Sequence, residues 1–249
     1  MEKVIIITGA SRGIGAASAL LAAKQNYAVC VNYQNDKAAA EKVVSTIQAA
    51  GSKAVAVAAD VSKEADVKRL FAVTESELGP ITGLVNNAGV LDQQTKFENM
   101  SVERWQRIFN INVIGSMLCA REAILRMSTQ HGGQGGAIVN VSSTASFIGG
   151  PNEYVDYAAS KGAIDSLTIG LAKEVAAEGI RVNAVRPGMI YTDIHASGGE
   201  PGRVDRLKEA IPMKRGGTAE EVANAIMWLL SEEASYCSGS FIELAGARR

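Results

Sequence analysis

Thr8-Gly9-Ala10-Ser11-Arg12-Gly13-Ile14-Gly15 is the stretch that decides the fold. It follows a nearly continuous apolar run, residues 4–8, and leads into residues 13–24, which have helical character. A run that is apolar at almost every position suits a strand covered on both faces, and such strands belong to parallel sheets. Glycines at the turn let the backbone bend tightly and approach an anion, whose charge meets the free N–H groups of the helix N-terminus. The octet therefore reads as a strand–turn–helix unit shaped to cradle a pyrophosphate.

The same alternation continues outward from this unit. Residues 29–32 and 37–50 give a second strand and helix, stopped by Gly51; residues 53–58 and 63–78 give a third pair, closed by Gly79-Pro80. A strand at 83–86 precedes a long helical stretch at 101–127. A strand at 137–142 follows the glycine-rich loop 132–136. Then come a helix at 154–177 and a strand at 181–185. Thr218-Ala219-Glu220-Glu221 has capping-box spacing and opens a helix to residue 230, before a last strand at 240–244. Parallel strands need crossovers, so this pattern implies an α/β fold: a Rossmann-type, doubly wound parallel sheet in three αβα layers. No linker or low-complexity stretch interrupts it, and residues 1–249 read as a single domain.

Composition narrows the class. Apolar residues make up 47% of the 249 and aromatics only 5%, so the core must rest on Ala, Val, Ile and Leu. The formal net charge is −1 with the two signs mixed, which points away from nucleic acid and anionic lipid as partners. The start, Met1-Glu2-Lys3, lacks the pattern of a signal peptide, and no run approaches the roughly 18 apolar residues of a membrane span. Cys30, Cys119 and Cys237 are odd in number and widely separated, reading as reduced thiols of a cytoplasmic protein. His131 and His195 are far apart and lack ligand-like company, so no metal site is expected.

The glycine spacing and three further motifs sit on this frame. The glycines are spaced with three residues between Gly9 and Gly13 and one between Gly13 and Gly15, unlike G-x-G-x-x-G. Asn86-Asn87-Ala88-Gly89 follows the fourth strand, Tyr157-Ala158-Ala159-Ser160-Lys161 lies in a long helix, and Pro187-Gly188 follows the sixth strand. With these motifs in this order, the chain resembles the short-chain dehydrogenase/reductases of the shorter, single-domain branch, over essentially its whole length. The resemblance implies a nicotinamide-dependent oxidoreductase that moves a hydride between a carbon–oxygen centre and the cofactor.

Tyr157 and Lys161 are four residues apart and share a helix face. A free phenol, with a pKa of about 10, is a poor base near neutrality, and a nearby ammonium favours its ionised form. The resemblance makes Tyr157 the acid/base and has Lys161 also hold the nicotinamide ribose. Tyr154, one turn earlier, has Ala158 four residues on and reads as pocket lining or packing. Counted from Asn140, Ser143 matches the family serine that bonds the substrate oxygen, with Ser142 and Thr144 as rivals facing away if the pleat persists. Asn112 matches the family asparagine that helps hold a water leading to Lys161; Asn110 is its rival.

A carboxylate at the end of the second strand would bond the adenosine ribose and repel a 2′-phosphate. That end reads Asn32-Tyr33-Gln34, with Tyr33 at the acid's position, and Arg12 can meet a 2′-phosphate. Both favour NADP(H), leaving NAD(H) possible. Asp36 reads as part of a helix start. The resemblance sets Gly9, Ser11, Arg12, Gly13, Ile14 and Gly15 around the phosphates, and Tyr33 and Gln34 by the adenosine ribose. It sets Asp60 and Val61 at the adenine, although an isolated Asp is as readily a turn residue. Asn87, Ala88 and Gly89 would line the ribose side, while Pro187, Gly188, Ile190 and Thr192 would border the nicotinamide.

Residues 192–217, with His195, Glu200, Arg203, Asp205 and Arg206, correspond to a substrate-covering segment, and Ser197-Gly198-Gly199 would suit a mobile lid. The substrate reads as a small polar or sugar-like carbonyl or alcohol. A 3-oxoacyl-carrier-protein reductase is the alternative, weakened by Ser128-Thr129-Gln130 and Glu178 standing where basic residues are expected near helix ends beside the active site. A non-catalytic NADP(H) sensor is a third reading. The resemblance also suggests a homotetramer.

Overall fold

A computed structural model describes residues 3–248; Met1 and Glu2, which belong to the signal-peptide reading, and Arg249 lie outside them. Strand β1 is Lys3–Ile7 and helix α1 Gly13–Lys24; β2 is Tyr27–Tyr33 and α2 Lys37–Ala49; β3 is Ala54–Ala58 and α3 Glu64–Leu78. Strand β4 is Ile81–Asn86, followed by α4 at Val102–Phe109 and α5 at Gly115–Met127. Strand β5 is Gly136–Val141, followed by a short α6 at Ala145–Ile148 and the long α7 at Val155–Val175. Strand β6 is Ile180–Pro187, followed by α8 at Ile194–Ser197, α9 at Arg203–Leu207 and α10 at Ala219–Leu230, and β7 is Phe241–Leu244.

The seven strands form one sheet in the order β3-β2-β1-β4-β5-β6-β7, and every pairing is parallel. The pleat sorts β1 into two layers. Ile5 and Ile7 join Val29, Val31, Ala19, Ala22, Val43 and Ile226 on the α1, α2 and α10 side. Val4 and Ile6 join Ala28, Cys30, Leu70, Phe71, Cys119 and Ala123 on the side of α3 and α5. A strand buried on both faces has no polar side to spare, which is why residues 4–7 are apolar throughout. The chain turns from one half of the sheet to the other between β1 and β4, and that switch opens a crevice at the carboxyl ends of the strands.

The helix starts follow their caps. Asp36 accepts from the Ala39 N–H at 3.0 Å, as its reading as a helix start required. Thr218 and Glu221 form a reciprocal capping box at α10. Residues 101–127 are helical but not one regular helix: a π-helical turn, Asn110–Ile114, separates α4 from α5. The rod Val102–Met127 is long and apolar enough, by length and composition, to cross a membrane, with a mean hydropathy of 1.4 in its most apolar stretch. It still holds no uninterrupted run of roughly 18 apolar residues, because Asn110, Asn112, Ser116, Arg121 and Glu122 break it. Half of that most apolar stretch is buried against the rest of the fold, as in a core helix.

The positions of Ser128 and Glu178 need a correction. Both precede strands, β5 and β6, so they sit at the amino ends of the sheet, opposite the crevice, where the Ser128 hydroxyl donates to Glu178. Their lack of positive charge therefore has no bearing on what docks at the crevice.

Candidate active site

The crevice is a cavity of about 920 Å³. The β1–α1 turn forms its floor. Gly9 and Gly13 adopt left-handed backbone, with φ of 61° and 56°, a conformation that costs other residues more. Gly15 serves differently: a Cβ there would fall 2.6 Å from Asn87 Nδ2 and from the Gly9 carbonyl. It lies behind the cavity wall and lets the turn and the β4 loop approach each other. Asn87 ties them, donating from Nδ2 to the Thr8 and Gly9 carbonyls at 2.8 and 3.1 Å. Asn32, buried at the end of β2, accepts from the Gly9 N–H and donates to the Val57 and Ala59 carbonyls. With the loop held from two sides, the first N–H groups of α1 remain free to meet an anion.

Ser11, Arg12, Ile14, Tyr33, Gln34, Asp60 and Val61 line the adjoining wall. Arg12 is exposed, and Tyr33 is largely buried at the strand end. The Asp60 carboxylate accepts from the Ser62 N–H and hydroxyl at 3.0 and 2.7 Å, so its turn role is realised beside the cavity.

Ser143, Tyr157 and Lys161 meet on the opposite wall. Ser143 leaves the end of β5 and accepts from the Ala145 N–H at 3.1 Å. Its hydroxyl reaches Tyr157, pulling the phenol pKa down, while burial pushes harder the other way, up to about 12. Burial lowers Lys161 to about 8, opposed by the nearby Asp165 carboxylate. The ammonium donates to the Val141 carbonyl at 2.7 Å and stands 5.5 Å from the centre of the Tyr157 ring. Of the rivals, Ser142 turns towards α7 and donates to Asp165 at 2.6 Å; Thr144 is buried and donates to the Pro187 carbonyl, as Ser143 also does, and it is Ser143 that reaches Tyr157.

Asn112 is buried in the π-helical turn, and Asn110 is exposed. The Asn112 side chain accepts from the Val90 N–H at 2.8 Å and donates to the Val90 carbonyl and to Ser160. Its Oδ1 and Lys161 Nζ both come within 3.6 Å of the point where a Gly89 side chain would begin. Asn112 thus stands behind the wall, and Gly89 leaves room for the pair. π-Turns concentrate at functional sites, where the extra residue re-aims a side chain.

Pro187, Gly188, Ile190 and Thr192 edge the cavity near Ser143. Residues 192–217 leave the fold through a closed neck: Gly217 donates to the Met189 carbonyl, and Tyr191 donates to that of Gly217, each at 2.9 Å. Beyond the neck, buried Arg203 is clasped by Glu153 before α7 and by Glu200 on its own segment. Arg203 also stacks over Tyr154, whose hydroxyl donates to the Gly198 carbonyl at 3.2 Å. His195 bonds the Ile190 carbonyl at 3.0 Å, and burial lowers its pKa. Asp205 and Arg206 are exposed; Asp205 accepts from the Tyr191 hydroxyl, and Arg206 pairs with Glu200.

Several lining residues escaped the sequence reading, among them Leu91, Asp92, Arg107, Glu153, Met189 and Arg248. Asn32 could have been found as a polar residue inside an otherwise buried strand. Arg248 carries no local signal at all. Among the described residues, no group of three or more His, Cys, Asp or Glu side chains could hold a metal ion.

A family model described as enoyl-(acyl carrier protein) reductase matches residues 9–246. The chain is 59% identical to the uncharacterized oxidoreductase YgfF of Escherichia coli strain K12, over 98% of this chain and 99% of that one. It is 40% identical to glucose 1-dehydrogenase 2 of Bacillus subtilis strain 168, over 98% and 93%. The solved structure of 3-ketoacyl-(acyl-carrier-protein) reductase from Brucella melitensis, complexed with NADH, superposes with a TM-score of 0.91 at 36% identity, covering 99% of this chain and 98% of that one.

Proposed function

We infer the reaction from one premise: the chain belongs to the short-chain dehydrogenase/reductase family. It is an NAD(P)-dependent oxidoreductase. We read its reaction as the interconversion of a carbonyl and an alcohol on a small polar or sugar-like substrate. The observation that carries this reading is the meeting of Ser143, Tyr157 and Lys161 on one wall of a cavity whose floor is a glycine cradle.

The residues present fit a dinucleotide. Gly9, Ser11, Arg12, Gly13 and Ile14 would hold its phosphates against the free N–H groups of α1, and Gly15 keeps the turn close-packed. Asp60 and Val61 would take the adenine, and Asn87, Ala88 and Gly89 the ribose side. Pro187, Gly188, Ile190 and Thr192 would take the nicotinamide, which supplies or accepts a hydride when bound. Tyr33 in the acid's position, with exposed Arg12 nearby, favours NADP(H). NAD(H) is the rival, and NADPH and NADH titrations followed by cofactor fluorescence decide between them.

Ser143 orients the carbonyl oxygen with its hydroxyl. Tyr157, held protonated by burial, donates its proton to that oxygen in the reductive direction. Lys161, charged below about pH 8, favours the phenolate left behind. Asn112 positions the Val90 backbone and Ser160 beneath them. Residues 192–217 cover the substrate, held down by the Glu153–Arg203–Glu200 clasp.

The test is cofactor oxidation by purified protein across aldehydes, ketones, sugars and a 3-oxoacyl thioester. Turnover of a polar carbonyl with NADPH is expected. Preference for the thioester would favour a 3-oxoacyl-carrier-protein reductase, a reading supported by the likeness to the Brucella enzyme. Tight NADPH binding without turnover on any member would favour the sensor and sink this reading.

We further propose a homotetramer in the cytoplasm. Val102, Phe109, Ile114, Met117 and Leu125 on the α4–α5 rod and Ile169 on α7 are exposed apolar side chains suited to a subunit interface. Three free cysteines suit a reducing compartment. Light scattering tests the assembly.

A further inference from the structure

Besides Arg12 at the glycine turn, four cationic side chains line the cavity: Arg107, Lys161, Arg203 and Arg248. Three have their charge answered within the fold. Arg107 pairs with Asp92 at 3.1 Å, Arg203 lies between Glu153 and Glu200, and Lys161 donates to the Val141 carbonyl in the field of Asp165. Arg248 differs. It makes no ion pair among the described residues, and its Nη1 is buried without a hydrogen-bond partner. A buried N–H with no acceptor forfeits the water it left, and a charged one forfeits more. An acceptor arriving with a ligand would supply what is missing.

The turn that presents Arg248 is well tied. The Arg248 N–H donates to the Ala245 carbonyl at 3.1 Å. Ala245 packs on Gly188, where a Cβ would come within 3.0 Å of Ala245 Cα. Gly188 follows Pro187, whose carbonyl accepts from the Ser143 hydroxyl at 3.4 Å. Arg248 therefore lines the cavity from the turn that packs on Gly188, next to Pro187 and Ser143.

We propose that Arg248 is an anion subsite, and that the substrate is a carbonyl or alcohol compound bearing a carboxylate or phosphate. This rests on the carbonyl–alcohol reading above and narrows it. A guanidinium presents parallel N–H donors that match either group in two-pronged fashion, and it cannot lose its charge near neutrality. With the neighbouring cations already paired, an anion at Arg248 would not have to break an existing salt bridge.

The probes are two matched ketone pairs, acetoacetate with methyl acetoacetate and dihydroxyacetone phosphate with dihydroxyacetone. Each is titrated calorimetrically into protein saturated with NADP+. At least one anionic member is expected to bind about tenfold or more tightly than its neutral partner; which pair shows it tells carboxylate from phosphate. Arg248→Gln should erase the preference while leaving NADP+ affinity unchanged and the melting temperature no lower, and Arg248→Lys should keep part of it. No preference in the wild type, or one that survives Arg248→Gln, overturns the proposal. A fall in NADP+ affinity in that variant also overturns it, assigning the guanidinium to the cofactor. Turnover of neutral carbonyls without anion preference defeats this inference alone. Anion binding at Arg248 without turnover on the full panel defeats only the reaction.

Discussion

The two sides of the cavity are built on different principles. The β1–α1 floor is shaped by backbone: left-handed glycines, a close-packed Gly15, and carbonyls fastened by Asn87 and Asn32. The cover, residues 192–217, is held down by side chains, above all the clasp of Arg203 between Glu153 and Glu200. A backbone cradle recognises what every nicotinamide dinucleotide shares, its phosphates. A side-chain clasp can be rewritten residue by residue, so on the proposed reading the cover, together with Arg248, is where substrate choice can vary.

Tyr157 stands between the two, and its removal should separate them most sharply. Tyr157→Phe is expected to lower kcat by about a thousandfold, in the range ascribed to a positioned acid or base, while NADPH affinity stays within about threefold. Retention of most activity would remove Tyr157 from the chemistry. Next in size is Gly15→Val, whose Cβ would meet Asn87 Nδ2 and the Gly9 carbonyl at 2.6 Å. Overpacking of this kind costs about 1–3 kcal/mol. A lower melting temperature and weaker NADPH binding should appear together; an unchanged cofactor affinity would break the claim that the floor is a rigid backbone cradle.

Arg203→Met probes the cover. It leaves Glu153 and Glu200 without their shared cation, and the Michaelis constant for substrate should rise roughly tenfold, about 1.4 kcal/mol, less than the loss of one partner of a fully buried pair because both carboxylates are part-exposed. NADPH affinity measured by fluorescence should not move; if it falls in step, floor and cover are not independent. The smallest effect expected is a pH effect. Lys161 is lowered to about 8 by burial, so its charge is present below that pH and lost as pH rises through it. Reductive kcat/KM should hold below pH 8, reach about half its plateau there, and fall further above it. Lys161→Arg, which cannot lose its charge in this range, should flatten the profile even if its plateau is lower.

The same contrast explains what could be read from the sequence. The floor depends on glycines, a strand and a helix start within eight residues, so Gly9, Gly13 and Gly15 are legible together. Tyr157 and Lys161 are legible because one helical turn links them. The clasp joins Glu153 to Arg203 across fifty residues, and nothing local marks either as a partner. Arg248 is missed for the same reason. The π-helical turn around Asn112 is invisible because its sequence suits an ordinary helix equally well. Ser128 and Glu178 depart from the expectation for a geometric reason: residues just before a parallel strand lie at its amino end, whereas the crevice opens at the carboxyl ends.

The neck at Met189, Tyr191 and Gly217 has an engineering consequence. Because its backbone bonds already bring the two ends together, the segment between them leaves and rejoins the fold at one place, with the Arg203–Glu153 clasp and the Tyr154–Gly198 bond as its further ties, and it can be exchanged without cutting the sheet. Closure entropy grows slowly with loop length, by about 0.6 kcal/mol per doubling. Shorter or longer versions can therefore be grafted at the neck, retailoring the substrate while the dinucleotide floor is inherited unchanged.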